Sequence, residues 1–443
     1  MSNPRRTLSV LALASALVAV SATPALSRAR ELVPATVVSP PAPPHALFVW
    51  AGDKEKKGND FLLVIDADPR SPQYGRMLAA LETDQRTVRP HHTEYTMPAS
   101  GMLFVNDHDA GRTFILDVRD PLHPAVAGSF GDMAGFAHPH SYVRLPNGHV
   151  LVSFQHDAMP SMPAMASGPQ AAQTATKART PPFANAAMGK SGGLVEIDDS
   201  GRVVRSSGNA DLAFADNLLM PYSLVVLPQI DRVVSTNSSM HDPDLFSGTT
   251  YQVWRLSDLR LLRTAYFDPG ERLYAHISPE EPRVGPDGSV FVQTLACGVE
   301  RITGIETDAP TARLVHTFPG NFCGVPTIVG QYFVQSVPEV NGFIVLDLAD
   351  PARPVEVSRL TISDAFRPHW TGWDPVTGRI VVTPGGGEDN RMYLLQLDPK
   401  TGALSVDEAF RDTDGKTGFS FAKRQWPHGW EGTGLPHGAV FSR

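Results

Sequence analysis

The sequence predicts an all-β fold, a seven-bladed β-propeller with histidines lining its central channel. Three observations carry this. Helical periodicity is nearly absent. Short β-branched or aromatic runs come in pairs separated by a turn, and the pair recurs seven times at a spacing of roughly fifty residues. A histidine follows proline, or stands close to it, just upstream of most of these pairs. A series of β-sandwiches would not produce so regular a spacing.

The chain opens with Arg5-Arg6, an uncharged stretch from Leu8 to Thr23 and a small-x-small site at Ala25-Leu26-Ser27. That is the layout of a secretory signal over residues 1–27, and the apolar run is too short for a comfortable membrane span. Arg5-Arg6-Thr7-Leu8 also fits a twin-arginine signal, so both export routes stay open. The expected location is periplasmic or secreted. Residues 28–44 then read as a linker and 45–443 as the propeller.

The paired runs are Leu47–Trp50 with Phe61–Asp66, Met102–Val105 with Thr113–Asp117, and Val150–Phe154 with Leu194–Ile197. Val233–Thr236 with Tyr251–Trp254, Val290–Thr294 with Val299–Ile302, Tyr332–Gln335 with Phe343–Asp347, and Ile380–Thr383 with Met392–Leu397 complete the set. Asn147-Gly148, Asp287-Gly288 and Thr377-Gly378 supply the positive-φ positions of tight turns. Asp-Pro closes several second runs, as at Asp68-Pro69, Asp120-Pro121 and Asp350-Pro351, where proline cannot continue a ladder. Residues 159–190, rich in Ala, Pro, Met and Ser, interrupt the third blade as a long loop insertion. Met159, Met162 and Met165 within it suit a soft cuprous ion or are simply part of a Met-rich linker.

With 46 acidic against 38 basic side chains and no basic block, nucleic acid is not the expected partner, and no segment after the leader is apolar enough to span a bilayer. Cys297 and Cys323 are the two cysteines. After export they form a disulfide, remain a buried thiol pair, or serve chemistry or metal ligation; the spacing leaves all three open.

The histidine-bearing segments read Pro90-His91-His92, Pro139-His140, Pro221-Tyr222, Ala275-His276, Pro368-His369 and Pro436-His437. In a propeller the first strand of each blade lines the channel, so equivalent residues face one another across the axis. The repeat selects His92, His140 and His437 and adds His276 and His369. Several neutral imidazoles converging there suit copper, iron or zinc, and not calcium. Gly438-Ala439-Val440-Phe441, after His437, is expected to form an innermost strand closed by Ala46-Leu47-Phe48-Val49. His108, His123, His149, His156, His241, His316 and His428 fall outside the repeat; His123 and His149 are expected at the surface, and His428 near the ring at most.

Asp66-Ala67-Asp68-Pro69-Arg70-Ser71-Pro72-Gln73-Tyr74-Gly75 followed by His91-His92 resembles the selenium-binding protein family, which includes the methanethiol oxidases. Arg112 to Val118, the stretch from Ala137-His138-Pro139-His140 to Asn147-Gly148, and Leu435-Pro436-His437 extend the resemblance along the chain. It implies a seven-bladed propeller, a copper centre held by His91, His92, His140 and His437, and oxidation of small thiols by oxygen. His276 stands where the family also has a histidine; His369 rests on the repeat alone. Many members carry Cys-x-x-Cys shortly after the paired histidines. Here that region is Thr93-Glu94-Tyr95-Thr96-Met97-Pro98, so selenium binding is not supported and the chain resembles a divergent branch.

The reading is therefore an exported, copper-dependent oxidase of a small molecule, first a small alkyl thiol, with oxygen as co-substrate. Glu94 and Tyr95, close after His92, are candidates for proton transfer, or else ordinary strand residues. A non-catalytic propeller module with a structural or metal-storage histidine site is the rival. A calcium lactonase ranks last, because the converging positions carry imidazole.

Overall fold

A computed structural model describes residues 44–158, 191–240, 246–270 and 277–443. The leader, nearly all of the linker, the Met-rich insertion with Met159, Met162 and Met165, and also His241 and His276, lie outside the described residues.

Among the described residues the strands form seven antiparallel sheets of four successive strands, the last extended by the short strand Phe419–Ser420. A separate two-stranded ribbon pairs Arg424–Gln425 with Glu431–Gly432. This is the seven-bladed propeller, and each predicted pair of runs supplies the second and third strands of one blade. In blade 1 the innermost strand is Gly434–Phe441, which pairs antiparallel with Ala46–Asp53 through Leu47↔Phe441, Phe48↔Val440 and Val49↔Ala439. The ring is thus closed by strands from opposite ends of the fold, as the sequence predicts.

The first three strands of a blade bury both faces against neighbouring blades. Phe48, Trp50, Leu62 and Val64 of blade 1 pack on Leu103, Val105, Phe114 and Leu116 of blade 2, all essentially inaccessible to water. Each such side chain stabilises the fold by roughly 1.5–3 kcal/mol. Outer strands have one wet face, and Val355–Thr361 alternates half-buried with exposed residues accordingly. Cys297 and Cys323 are joined as a disulfide that ties blade 5 to the segment entering blade 6. No helix of the described residues is long and apolar enough to cross a membrane.

The innermost strands share an irregularity that positions the site. Pro90 pairs with Asp107 and Thr93 with Val105, so three steps on one strand match two on its neighbour. The same one-residue bulge follows Pro139, Pro221, Pro279, Pro368 and Pro436. Blade 6 has Gly324 in the proline's place: its amide bonds to Ser336 O at 3.1 Å, and Thr327 pairs with Val334. Proline withholds a donor from the ladder, and the extra residue that follows re-aims the next two side chains.

The bulge corrects the repeat in two places. Its first residue is His91, His140, Tyr222, Glu280, Val325, His369 and His437 in blades 2 to 7 and then 1; its second is His92, Ser141, Ser223, Glu281, Pro326, Trp370 and Gly438. In blade 2, then, it is His91 rather than His92 that aligns with His140 and His437. In blade 5 the repeat position belongs to Glu280, not to His276. The Ala275-His276 segment fits the repeat only by its histidine, whereas the bulge follows Pro279.

Candidate metal centre

His91 and His92 occupy one bulge, and their rings stack with centroids 4.2 Å apart and planes 13° from parallel. His140, from the next blade, stands with its ring 4.9 Å from His91 and 4.5 Å from His92. All three are buried, and one nitrogen from each lies within 4.8 Å of the other two.

Hydrogen bonds hold the His92 and His140 rings with one nitrogen turned inward. His140 Nδ1 lies 2.7 Å from Tyr222 O, and a carbonyl only accepts, so Nδ1 carries the proton and Nε2 keeps its lone pair. His92 Nδ1 lies 2.9 Å from Ser141 Oγ. Asn106 joins the two strands: its Oδ1 accepts from His92 N at 2.8 Å, and its Nδ2 donates to Pro139 O at 2.8 Å and His140 O at 3.2 Å. What remains is His91 Nδ1, His92 Nε2 and His140 Nε2, each buried without a hydrogen-bond partner. Buried polar atoms are rarely left so, because each costs roughly 1–3 kcal/mol.

Burial holds His91, His92, His140 and His437 well below the ordinary imidazole pKa, and neighbouring imidazoles add to the shift. The rings are neutral, the form that ligates a metal. Converging neutral imidazoles, those of His92 and His140 anchored at the opposite nitrogen, are the arrangement in which outer hydrogen bonds orient metal-ligating histidines. The triad is fit to hold a metal ion.

The other predicted residues fall around it. His437 lies with its ring 4.2 Å from His91; its Nδ1 is also buried and unpaired, and its Nε2 is 2.9 Å from His369 Nε2. Both residues are partly exposed, and burial of the ring lowers the His369 pKa to about 4. Glu94 is buried and raised to about 7 by desolvation, but its oxygens are taken by Arg144 at 2.8 and 3.0 Å and by Phe104 N at 3.2 Å. Tyr95 stacks on Trp370 at 4.6 Å, with its ring 6.1 Å from His92 and its hydroxyl donating to Glu281 Oε2 at 2.6 Å.

Of the histidines outside the repeat, His123 is exposed beside Asp120, and half-exposed His149 pairs with Glu196 at 2.7 Å. His428 packs on Phe61 and Trp430. His108 was missed by the repeat, since it sits just past a second strand. It is fully buried, 5.2 Å from His140 and 5.7 Å from His91, with Nε2 2.8 Å from Gln155 Oε1.

The fold and site thus define a class: a seven-bladed propeller with a buried imidazole triad on the bulges of its inner strands. The comparisons agree with the resemblance read from the sequence. The chain is similar to a methanethiol oxidase from Hyphomicrobium sp., 32% identical over 111 residues, which are 24% of this chain and 25% of that protein. The matched stretch thus spans a quarter of that relative's length. No family model matches. Among solved structures, a hypothetical selenium-binding protein from Sulfolobus tokodaii superposes with a TM-score of 0.65 at 14% identity, covering 91% of this chain and 94% of that one. A periplasmic gluconolactonase from Pseudomonas aeruginosa superposes at 0.57 with 12% identity, over 90% and 99%. At these identities both structures speak to the fold alone.

Proposed function

We propose that this protein is an exported metal-dependent oxidase, with copper as the metal and a small alkyl thiol as the substrate. The observation that carries the reading is the set of three buried, unpartnered imidazole nitrogens of His91, His92 and His140. An all-nitrogen neutral set suits copper, iron or zinc; oxidation, the activity in the relative's name, needs a redox-active ion, and copper is the one that the family resemblance implies. Bound there, copper supplies a redox-active, Lewis-acidic point for a thiol and oxygen.

The chain's own residues prepare that point. Tyr222 O fixes the His140 tautomer, and Asn106 and Ser141 hold the two histidine-bearing strands in register. Trp370, with its ring 5.2 Å from His92, and Tyr222, 4.0 Å from His140, wall the triad and exclude water. His369 and His437, partly exposed, mark the side from which a small substrate arrives. Thr93 to Pro98 offer no thiol to hold selenium.

The test is metal analysis of protein taken from the exported fraction, followed by oxygen uptake with methanethiol. About one copper per chain and thiol-dependent uptake are expected, with the metal-free protein and His140→Ala inert. A loaded protein with an accessible metal and no turnover of any small thiol leaves the module that only holds metal.

A further inference from the structure

Tyr95 follows the inner strand of blade 2, and its side chain meets residues of blades 5 and 7. Its ring lies on the indole of Trp370, with centroids 4.6 Å apart and planes 1° from parallel. Trp370 is fully buried, and its ring is in turn 5.2 Å from His92 and 6.0 Å from His437. The Tyr95 ring itself is 6.1 Å from His92. Stacked and edge contacts thus join a phenol to the imidazole triad without a gap.

The same phenol has somewhere to send its proton. Its Oη donates to Glu281 Oε2 at 2.6 Å, within reach for direct transfer. Ser223 Oγ at 2.8 Å and Arg283 Nη1 at 3.2 Å also donate to Oε2 and hold the group as a carboxylate. Burial of the hydroxyl, then that carboxylate, keeps the phenol pKa well above its ordinary value, so the proton rests on Tyr95. The Arg283 guanidinium carbon lies 3.9 Å from the Tyr95 ring centre. A cation there opposes a second positive charge on the ring, so an electron leaves far more readily when the proton leaves with it. Trp370 has no such exit: its Nε1 donates to Ala439 O at 3.0 Å, and a backbone carbonyl is no base for an indole proton.

We propose that Tyr95 is a redox-active side chain of the centre, holding one oxidising equivalent as a neutral phenoxyl radical, with Trp370 as the bridge to the triad. This rests on the metal-dependent oxidase reading above and deepens it. Reduction of oxygen to peroxide takes two electrons and two protons, and copper moving between cuprous and cupric supplies one electron. Tyr95 supplies the other. In that step the Tyr95 Oη–H bond breaks, the proton forms a new O–H bond at Glu281 Oε2, and the electron passes to the oxidised copper centre. Thiol oxidation returns two electrons and two protons. One electron, with the proton held by Glu281, restores the phenol; the other reduces the copper, and the two thiol protons leave with the peroxide.

The experiment treats the full-length wild type, Tyr95→Phe, Glu281→Gln and a control, Tyr74→Phe, with hexachloroiridate, a one-electron oxidant, and reads each frozen sample by electron paramagnetic resonance. Tyr74 is a fitting control because its hydroxyl also donates to a carboxylate, Asp407 at 2.9 Å, while its ring packs on Phe410. Copper content and methanethiol-dependent oxygen uptake are measured on the same proteins. The wild type and Tyr74→Phe should give one and the same tyrosyl radical signal, and Tyr95→Phe should lose it. Glu281→Gln should lose it too, with the phenol still present, because an amide takes no proton. Copper content should be equal in all four, and oxygen uptake by Tyr95→Phe should fall about 100-fold or more, as for loss of a proton-transfer group. If Glu281→Gln fails to fold, Tyr95→Phe, which keeps the ring and its stack, decides alone. No tyrosyl signal in the wild type, or an unchanged one in Tyr95→Phe, overturns the role of Tyr95 and leaves the triad standing. A Tyr95-dependent signal in a copper-loaded protein that turns over no thiol refutes the thiol and keeps Tyr95. A wild type that takes up no copper overturns the centre, and with it the partnership of Tyr95.

Discussion

His140 is the residue at which the metal reading is most exposed to test. Replacing it by Ala removes one of three converging nitrogens while costing the fold little. Tyr222 O loses the imidazole donor but keeps Ser153 Oγ at 2.8 Å, so no carbonyl is orphaned. Lost packing and one hydrogen bond together amount to about 2 kcal/mol. Unfolding a chain of roughly 400 residues carries an entropy near 0.8 kcal/mol/K, so the metal-free variant should melt roughly 2–3 °C below metal-free wild type. Copper at a hundred times its dissociation constant adds about 2.7 kcal/mol to the wild type, or roughly 3 °C on the same scale. The assay is a melting curve of each protein with and without copper, alongside metal content by elemental analysis. The wild type should rise on loading and the variant should not. An equal rise in both, with equal copper content, would refute the placement of the centre at this triad.

Other outcomes follow from the same structure. Asp60 is fully buried, and burial, then the charge of Asp107, raises its pKa to about 9. Its folded pKa lies above the unfolded one, so its contribution is complete below pH 4 and is lost as pH rises towards 9, at up to about 1.4 kcal/mol per pH unit. Asp60→Asn should therefore melt several degrees above wild type at pH 8.5 and close to it at pH 5; a difference independent of pH would count against the buried carboxyl. Cys297 and Cys323 close a loop with a sequence separation of 26. By chain entropy their removal as a Ser pair costs about 3.5 kcal/mol, roughly 4 °C in melting temperature, and unreduced denatured wild type should show no titratable thiol. Asn106→Ala loses the three bonds that register the His92 and His140 strands, and copper affinity measured by competition should fall about tenfold with the ligands still present.

The fold was legible because its evidence is periodic. Paired runs, turn glycines and Asp-Pro stops recur blade after blade, so a misjudged element changes nothing in the total. Ring closure was legible for a related reason: Gly438-Ala439-Val440-Phe441 is a strand without a following partner, and Ala46 onward is one without a preceding partner. The site was read less well, because histidine was followed where proline should have been. A bulge is a backbone event, and its marker in six blades is a proline that leaves the ladder. Following Pro279 leads to Glu280 and Glu281; following His276 leads away from them. Asn106 and His108 had no such marker, since their roles depend on contacts between blades.

The closing strand couples ring closure to the histidine cluster. His437 stands on Gly434–Phe441, which also supplies the missing inner edge of blade 1. Without Gly434–Phe441 the described residues would keep six complete blades and one with an unpaired edge at Ala46–Asp53, the kind of edge that recruits foreign strands. A variant with that strand deleted would therefore lack at once its ring closure, the imidazole beside His91 and the cover of that edge. Edge protection and completion of the histidine cluster thus depend on one strand, Gly434–Phe441.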